Sequence, residues 1–295
     1  MLRSVCFLAL DALRSRLGED LPLVDGLALG FVYVGRRVPF LNWQKGIFRA
    51  AAQRGPAALG IMTSVKSPYD DEETLDGFWY AYRAGDVDQG DNRALRAAAL
   101  LRVPLVYFVA TRPGWYRAIY PCFITEDDPH ARRVLISVGR ADHDDPVEFV
   151  DALDRRYAVR ETRVRLHQGR FRGAVLRAYS DRCAVCRLRE SRLLDAAHID
   201  ADRDATGDAV VTNGVSLCSI HHRAFDQNLI GLSPEYRVHV ARRLLEDDDG
   251  PMLDLLKGSH GRELGLPRAP RERPDQARLE RRFARFTQQD AAGAT

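Results

Sequence analysis

Apolar residues fall in short runs through the first half of the chain and at helical spacing in its middle. Six runs, at 27–34, 58–62, 77–82, 105–110, 115–120 and 133–138, are apolar or aromatic and bounded by Gly, Pro and Asp. Runs of that length between turn formers predict strands, and six of them at this spacing predict a barrel or sandwich. A helical stretch, 92–101, interrupts the series. The N-terminal run 5–10 stops at Asp11 and Arg14 with no cleavage site after it, so it reads as the buried stripe of a short helix and not as a signal peptide. Farther on, Val164, Phe171, Val175 and Tyr179 recur at helical spacing with Arg on the other face, and this helix leads straight into Cys183.

A chain of 295 residues predicts two domains, at about 150 residues each. An apolar content of 45% excludes wholesale disorder. No stretch approaches the roughly 20 apolar residues that a membrane crossing needs, and the expectation is a soluble, cytoplasmic protein without membrane contact. Forty-four bases against 41 acids leave a net charge of +3, so only local charge can explain a polyanionic partner. That local charge is present. Six acids and no base lie between 141 and 154, whereas 155–192 holds twelve Arg against three acids. The sign change places the linker near 142–156 and predicts domains at 1–145 and 161–295 joined by 146–160. The tail from 262 to 286 is again basic, with eight Arg against four acids.

Five cysteines stand at 6, 122, 183, 186 and 218. Cys6 and Cys122 lie in apolar surroundings and read as inert core residues. Cys183 and Cys186 form a pair two residues apart, as do Cys218 and His221, with 31 residues between the pairs. Two such knuckles are what a tetrahedral zinc site requires, and with four protein ligands the Zn²⁺ would be structural.

A closed zinc site leaves His198, Asn213 and His222 unexplained. At these residues the sequence resembles the HNH (ββα-metal) nuclease family over about 180–232, including the helix start Leu217-Cys218-x-x-His221-His222-x-x-Phe225-Asp226. The resemblance implies that His198 is the general base, that Asn213 orients it or holds its loop, and that His222 binds a catalytic Mg²⁺ or Mn²⁺. Asp226, one helical turn after His222, and Asp195 are the candidates for the remaining ligand, because Ala197 stands where many members carry an acid or His. The chemistry suits a phosphodiester: neutral imidazole can activate water near pH 7, and a cation can offset charge on the phosphate.

The first domain is similar to SRA (SET- and RING-associated) domains over roughly 28–125. The motifs are Lys45-Gly46-Ile47-Phe48, Ser67-Pro68-Tyr69-Asp70-Asp71-Glu72, 76–85 around Trp79 and Tyr82, and Asp91-Asn92-Arg93-Ala94-Leu95. Those domains bind DNA and rotate a modified cytosine out of the duplex. The resemblance implies a pocket in which Tyr69 and Tyr82 sandwich the base and Glu72, or Asp71, accepts its exocyclic amine. Stacking between aromatic faces would return the energy lost on unstacking. Arg83 replaces a small hydroxyl residue of many members.

Together these features predict an α+β chain, with an SRA/PUA-like β-barrel followed by a zinc-stapled ββα nuclease. The function they imply is a modification-dependent restriction endonuclease acting on double-stranded DNA with 5-methylcytosine or a related base. Arg163, Arg170 and Arg177 on the Arg-rich helix would grip phosphates. A homodimer is expected, since one ββα site addresses one strand. The alternatives are an HNH nuclease that reads unmodified sequence and a non-catalytic zinc regulator of DNA, which would have no use for the His198, Asn213 and His222 set.

Overall fold

A computed structural model describes residues 1–63, 73–74, 77–139, 152–201, 206–248 and 250–292. The chain divides into two compact units, Met1–Gly169 and Arg170–Thr295.

The first unit begins with α1 (Leu2–Leu17), β1 (Asp20–Pro22), β2 (Phe31–Tyr33), β3 (Arg36–Val38), β4 (Ile47–Phe48) and β5 (Gly60–Met62). It continues through β6 (Glu73–Thr74), β7 (Gly77–Ala81), α2 (Gly90–Leu100), β8 (Leu105–Arg112), β9 (Trp115–Asp128) and β10 (Arg133–Val138). It also takes the first part of α3 (Ala152–Ala178). All six predicted runs contribute strands. The run at 27–34 is split by Gly30, whose φ of +66° ends a 3-10 turn at Leu27–Leu29 before β2 begins.

One sheet holds eight of these strands in the order β4-β5-β8-β9-β10-β7-β6, with β1 on β9. The long β9 changes partner along its length, pairing with β1 at 115–117 and with β10 at 122–128. Register shifts in its pairings with β8 and β10 add twist, and the sheet curls. Among the described residues the path stays open, with β4 and β6 at its ends, instead of closing as the expected barrel. The partner choice is non-local: β5 pairs in parallel with β8, which no reading of single runs contains.

The all-buried strand β8 explains why both faces need covering. Val106 and Phe108 point to one side, where α1 lays down Leu2, Cys6, Leu10 and Leu13. Leu105, Tyr107 and Val109 point to the other, where α2 supplies Ala94, Leu95 and Ala98. Alternation along a strand produces two cores from one apolar run. Cys6 and Cys122 are buried, and burial pushes the Cys6 thiol up to about 12 and the Cys122 thiol upward too, in keeping with inert residues.

The second unit takes the end of α3, then β11 (Leu194–His198), β12 (Gly214–Cys218), α4 (Ser219–Asp226), β13 (Ile230–Leu232) and β14 (Val238–Val240). Three helices follow: α5 (Arg242–Glu246), α6 (Pro251–Lys257) and α7 (Gln276–Ala292). The helical stripe read from the sequence is revised in α3. Val164 is 47% exposed, while Val159 and Leu166 enter the first unit's core and Phe171, Val175, Leu176 and Tyr179 enter the second's. Each half of the helix answers to its own core, so the unit boundary falls at Gly169/Arg170, inside the helix. The acidic segment 141–151 lies outside the described residues. No described helix is long and apolar enough to cross a membrane.

Phe108 is fully buried under α1. Phe108→Ala is expected to destabilise the first unit by about 3–5 kcal/mol, measured as a lower denaturant midpoint at unchanged slope.

Candidate active site

Two knuckles and one hairpin build the site. In the first knuckle, Cys183 N–H donates to Leu188 O (2.9 Å) and Arg187 N–H donates to Cys183 O (3.0 Å), with Arg187 at φ +64°. A bond from Ala184 N–H to Ser216 O (2.7 Å) ties this knuckle to β12. The second knuckle is the turn from β12 into α4, with Cys218 as its last strand residue and His221 in the first helical turn. Nδ1 of His221 lies 3.0 Å from Cys218 Sγ and 3.7 Å from Cys183 Sγ, and the Cys186 and Cys218 sulfurs are 3.9 Å apart. All four ligand atoms fall within 4.8 Å of one another. A tetrahedron with metal–sulfur bonds of about 2.3 Å has edges of about 3.8 Å, so the four donors fit one zinc ion. The Cys183 thiol is pulled down to about 3, chiefly by a hydrogen bond from Cys218, whose own thiol is held up by the same bond. Zinc would displace the thiol protons on binding.

Strands β11 and β12 pair antiparallel, with His198 opposite Gly214 and Asp195 opposite Leu217. The His198 ring stacks on Phe171 of α3, with centroids 4.1 Å apart and planes at 21°. Gly214 makes this possible: a Cβ there would lie 2.3 Å from Val175 Cγ2 and 2.9 Å from Phe171 Cζ. Beyond His198, the chain is held by Asn213, which is fully buried. Its Nδ2 donates to Asp200 O (3.1 Å) and Asp208 O (3.0 Å), and its Oδ1 accepts from Asp200 N–H (2.9 Å). Asn213 is placed to hold the loop after His198.

His222 sits on α4 between two carboxylates. Its Nδ1 is 3.5 Å from Asp195 Oδ2 and its Nε2 is 3.5 Å from Asp226 Oδ2. The bond with Asp195 raises the affinity of the imidazole for its proton. Burial alone would raise the Asp195 carboxyl, but hydrogen bonds from His222 and the Ala196 N–H outweigh it and hold it low. Arg172 adds a positive charge, with Nε 3.4 Å from Asp195 Oδ1. An imidazole that binds a cation through one nitrogen keeps the other for an orienting partner. One aspartate can therefore share an ion with His222 while the other holds the ring.

Several groups were not legible beforehand. Asp200 is buried and accepts from Arg281 Nη2 of α7 (2.6 Å), with Arg278 Nη1 at 3.6 Å. Although burial works against it, the bond from Arg281 keeps the Asp200 carboxyl ionised below its usual range. Arg282 donates to Phe225 O (2.6 Å), and its guanidinium lies 4.5 Å from the Phe225 ring centroid. Arg278, Arg281 and Arg282 of the basic tail therefore clamp the nuclease core. Arg172 is likewise engaged, donating to Ser191 O and Leu194 O.

Arg170 and Arg177 are exposed on α3, which also carries Arg163. Tyr69, Asp71 and Glu72 lie outside the described residues. Tyr82 is only 4% exposed, in the core, with its hydroxyl donating to Asp127, and Asp127 also accepts from Arg96 Nε (2.8 Å).

A strand pair leading into a helix, with one His on the strand, another on the helix and a Cys3His staple, has a counterpart among known families. Residues 183–233 match the family model described as HNH endonuclease. They form an HNH endonuclease domain. Among solved structures the chain is similar to the modification-dependent TagI restriction endonuclease, at 16% identity over 78% of this chain and 81% of that one, with a TM-score of 0.32. It is also similar to the type IV phosphorothioation-dependent restriction endonuclease ScoMcrA, at 13% identity over 84% of this chain and a TM-score of 0.26. The match spans 53% of ScoMcrA. No curated protein matches the chain.

If the four knuckle ligands hold zinc, the full chain carries one zinc per molecule by elemental analysis. Cys186→Ala is expected to lose it and to unfold the HNH domain, because ion binding is folding energy for such a small module. A zinc-free variant with undiminished thermal stability would refute the assignment.

Proposed function

We propose that this chain is a modification-dependent restriction endonuclease: its HNH domain hydrolyses DNA phosphodiesters, and its N-terminal unit selects duplexes carrying 5-methylcytosine or a related modified cytosine. The observation that carries the cleavage half is the placement of His198, stacked on Phe171 and followed by a loop that Asn213 locks, in the same ββα unit as the carboxylate-flanked His222.

In this reading His198, as neutral imidazole, takes a proton from the attacking water. Phe171 fixes the ring plane, and Asn213 fixes the chain that follows it. His222 and one of its two aspartates hold a divalent cation, Mg²⁺ or Mn²⁺, which when bound offsets charge on the phosphate and the leaving oxygen. The zinc at Cys183, Cys186, Cys218 and His221 has no open position and serves structure alone. Arg163, Arg170 and Arg177 contact backbone phosphates, and two copies of the chain cut the two strands of cytoplasmic DNA.

The selecting half is supported by the sequence resemblance over 28–125. Tyr69 and Tyr82 are assigned the stacking faces of the base pocket, with Glu72 or Asp71 as the acceptor for the amine. Tyr82 is a core residue in the structure, so Tyr82→Ala would report packing as well as binding. Tyr69→Ala is the cleaner probe.

Methylated and unmethylated plasmids incubated with Mg²⁺ or Mn²⁺ separate the readings. The methylated plasmid is expected to be cut and the other spared; equal cutting assigns the N-terminal unit to ordinary sequence. His198→Ala is expected to abolish cleavage with zinc content and DNA affinity intact, and near-normal cutting would show that another group activates the water. Tyr69→Ala is expected to lose roughly tenfold to hundredfold in affinity for methylated duplex, as one stacking face is worth about 1–3 kcal/mol, with non-specific binding unchanged.

A further inference from the structure

Between Gly26 and Tyr69 the chain carries Arg36, Arg37, Lys45, Arg49, Arg54 and Lys66 and not one acid. The structure places two of these bases, Arg36 and Arg37, on one strand. Strands β2 and β3 form a two-stranded hairpin of their own, with Phe31 opposite Val38, Val32 opposite Arg37 and Tyr33 opposite Arg36. Its base is rigid. Phe31 and Val38 are buried in the core beside α1, and the rings of Phe31 and Phe40 are 5.0 Å apart. Gly30 lets the strands close, since a Cβ there would meet Val38 O at 2.5 Å.

The tip has the opposite character. Val34 and Gly35 make the turn, both at positive φ (+48° and +71°). Two-residue turns of that kind favour Asn-Gly, and a β-branched residue at positive φ is a strained outlier. Val34 is nonetheless 78% exposed, and Val32 behind it is 64% exposed. Neither packing nor backbone preference accounts for an apolar branched side chain at this point. Arg36 and Arg37 flank it, both exposed and without an ion pair among the described residues.

We propose that the β2–β3 hairpin enters a groove of double-stranded DNA, with Arg36 and Arg37 gripping phosphates and Val34 pressed against the base edges at the tip. The proposal rests on the reading of this chain as a DNA endonuclease and adds the surface by which its first unit meets the duplex. The major groove admits a two-stranded ribbon. Arg offers the fork that fits phosphate, and an apolar tip can pack on base edges or wedge at a base step. The charge selects this occupant: two exposed Arg on one hairpin, in a stretch of sequence without acids, suit a polyanion, and a second copy of the same hairpin would be repelled by them.

The test uses the full chain with His198→Ala, so that the duplex survives, and fluorescence anisotropy on a 30-base-pair duplex across a salt series. Arg36→Ala with Arg37→Ala is expected to weaken binding roughly tenfold or more. It should also flatten the slope of log affinity against log salt by about two, at about 0.9 per phosphate. Val34→Gly, which the turn accepts without strain, is expected to keep or raise the melting temperature while lowering affinity severalfold at unchanged slope. Unchanged affinity and slope in the double arginine variant, with the parent still binding duplex, overturns the hairpin assignment and leaves the nuclease reading standing. A parent that binds no duplex overturns the nuclease reading itself, and the hairpin proposal with it. If light scattering shows the variants altering oligomeric state while duplex binding is unchanged, the hairpin is a self-interface and the proposal fails.

Discussion

Bringing three sulfurs and an imidazole nitrogen within 4.8 Å joins chain segments that stand 31 residues apart, and the HNH domain is arranged around that junction. Cys218 ends β12 and His221 lies in the first turn of α4, so the ligands that staple the knuckles also fix the strand-to-helix turn. His222 follows His221 directly, and its position beside Asp195 and Asp226 is inherited from the staple. The knuckle is held from two further sides, by Ala184 N–H on Ser216 O and by Gly265 N–H on Ala184 O. Gly265 packs closely on the knuckle, where a Cβ would lie 3.1 Å from Ala184 O. An ion supplies in one step the constraint that fixes two loops against a hairpin.

His198 depends on a different kind of support. Its ring rests on Phe171, from a helix that precedes the metal knuckle, and the contact exists because position 214 has no side chain. On the other side, the loop after His198 is held through its backbone by Asn213 and through its carboxylate by α7, where Arg278 and Arg281 meet the buried Asp200. A buried carboxylate without those arginines would be an uncompensated charge, so α7 is bound to the loop and not merely appended to the domain. The proposed base is thereby set between an aromatic floor and a charge-clamped loop. Both restrain the residues that flank His198, as placing a reacting group demands.

What was legible in the sequence was local. Cys183, Cys186, Cys218 and His221 announce themselves by spacing, and the six apolar runs became strands because turn formers bracket them. The pairing order was not legible. β5 lies parallel to β8 and β7 lies between β10 and β6, partners chosen over long separations, and among the described residues they form a curled sheet whose path does not close. The helical stripe over Val164 and Phe171 failed at Val164, because α3 passes from one core to the other and the buried face shifts with it. The pairing of Asp200 with Arg281 spans 81 residues, and no periodicity carries such a signal.

The arginines show most clearly why composition alone misleads. Arg enrichment in 155–192 and in the tail suggests phosphate contacts throughout, yet the structure sorts these residues by partner. Arg172, Arg278, Arg281 and Arg282 are engaged with backbone carbonyls, buried or flanking carboxylates and an aromatic ring. Each guanidinium uses its planar fork inside the protein, where a Lys would satisfy fewer acceptors. Arg36 and Arg37 differ: they are exposed beside a strained apolar tip, in a stretch without acids. With a net charge of only +3 spread over 295 residues, the global field is too weak to steer a duplex. Attraction must come from places where bases outnumber acids and remain unpaired, and this criterion favours the hairpin over Arg172, Arg278, Arg281 and Arg282.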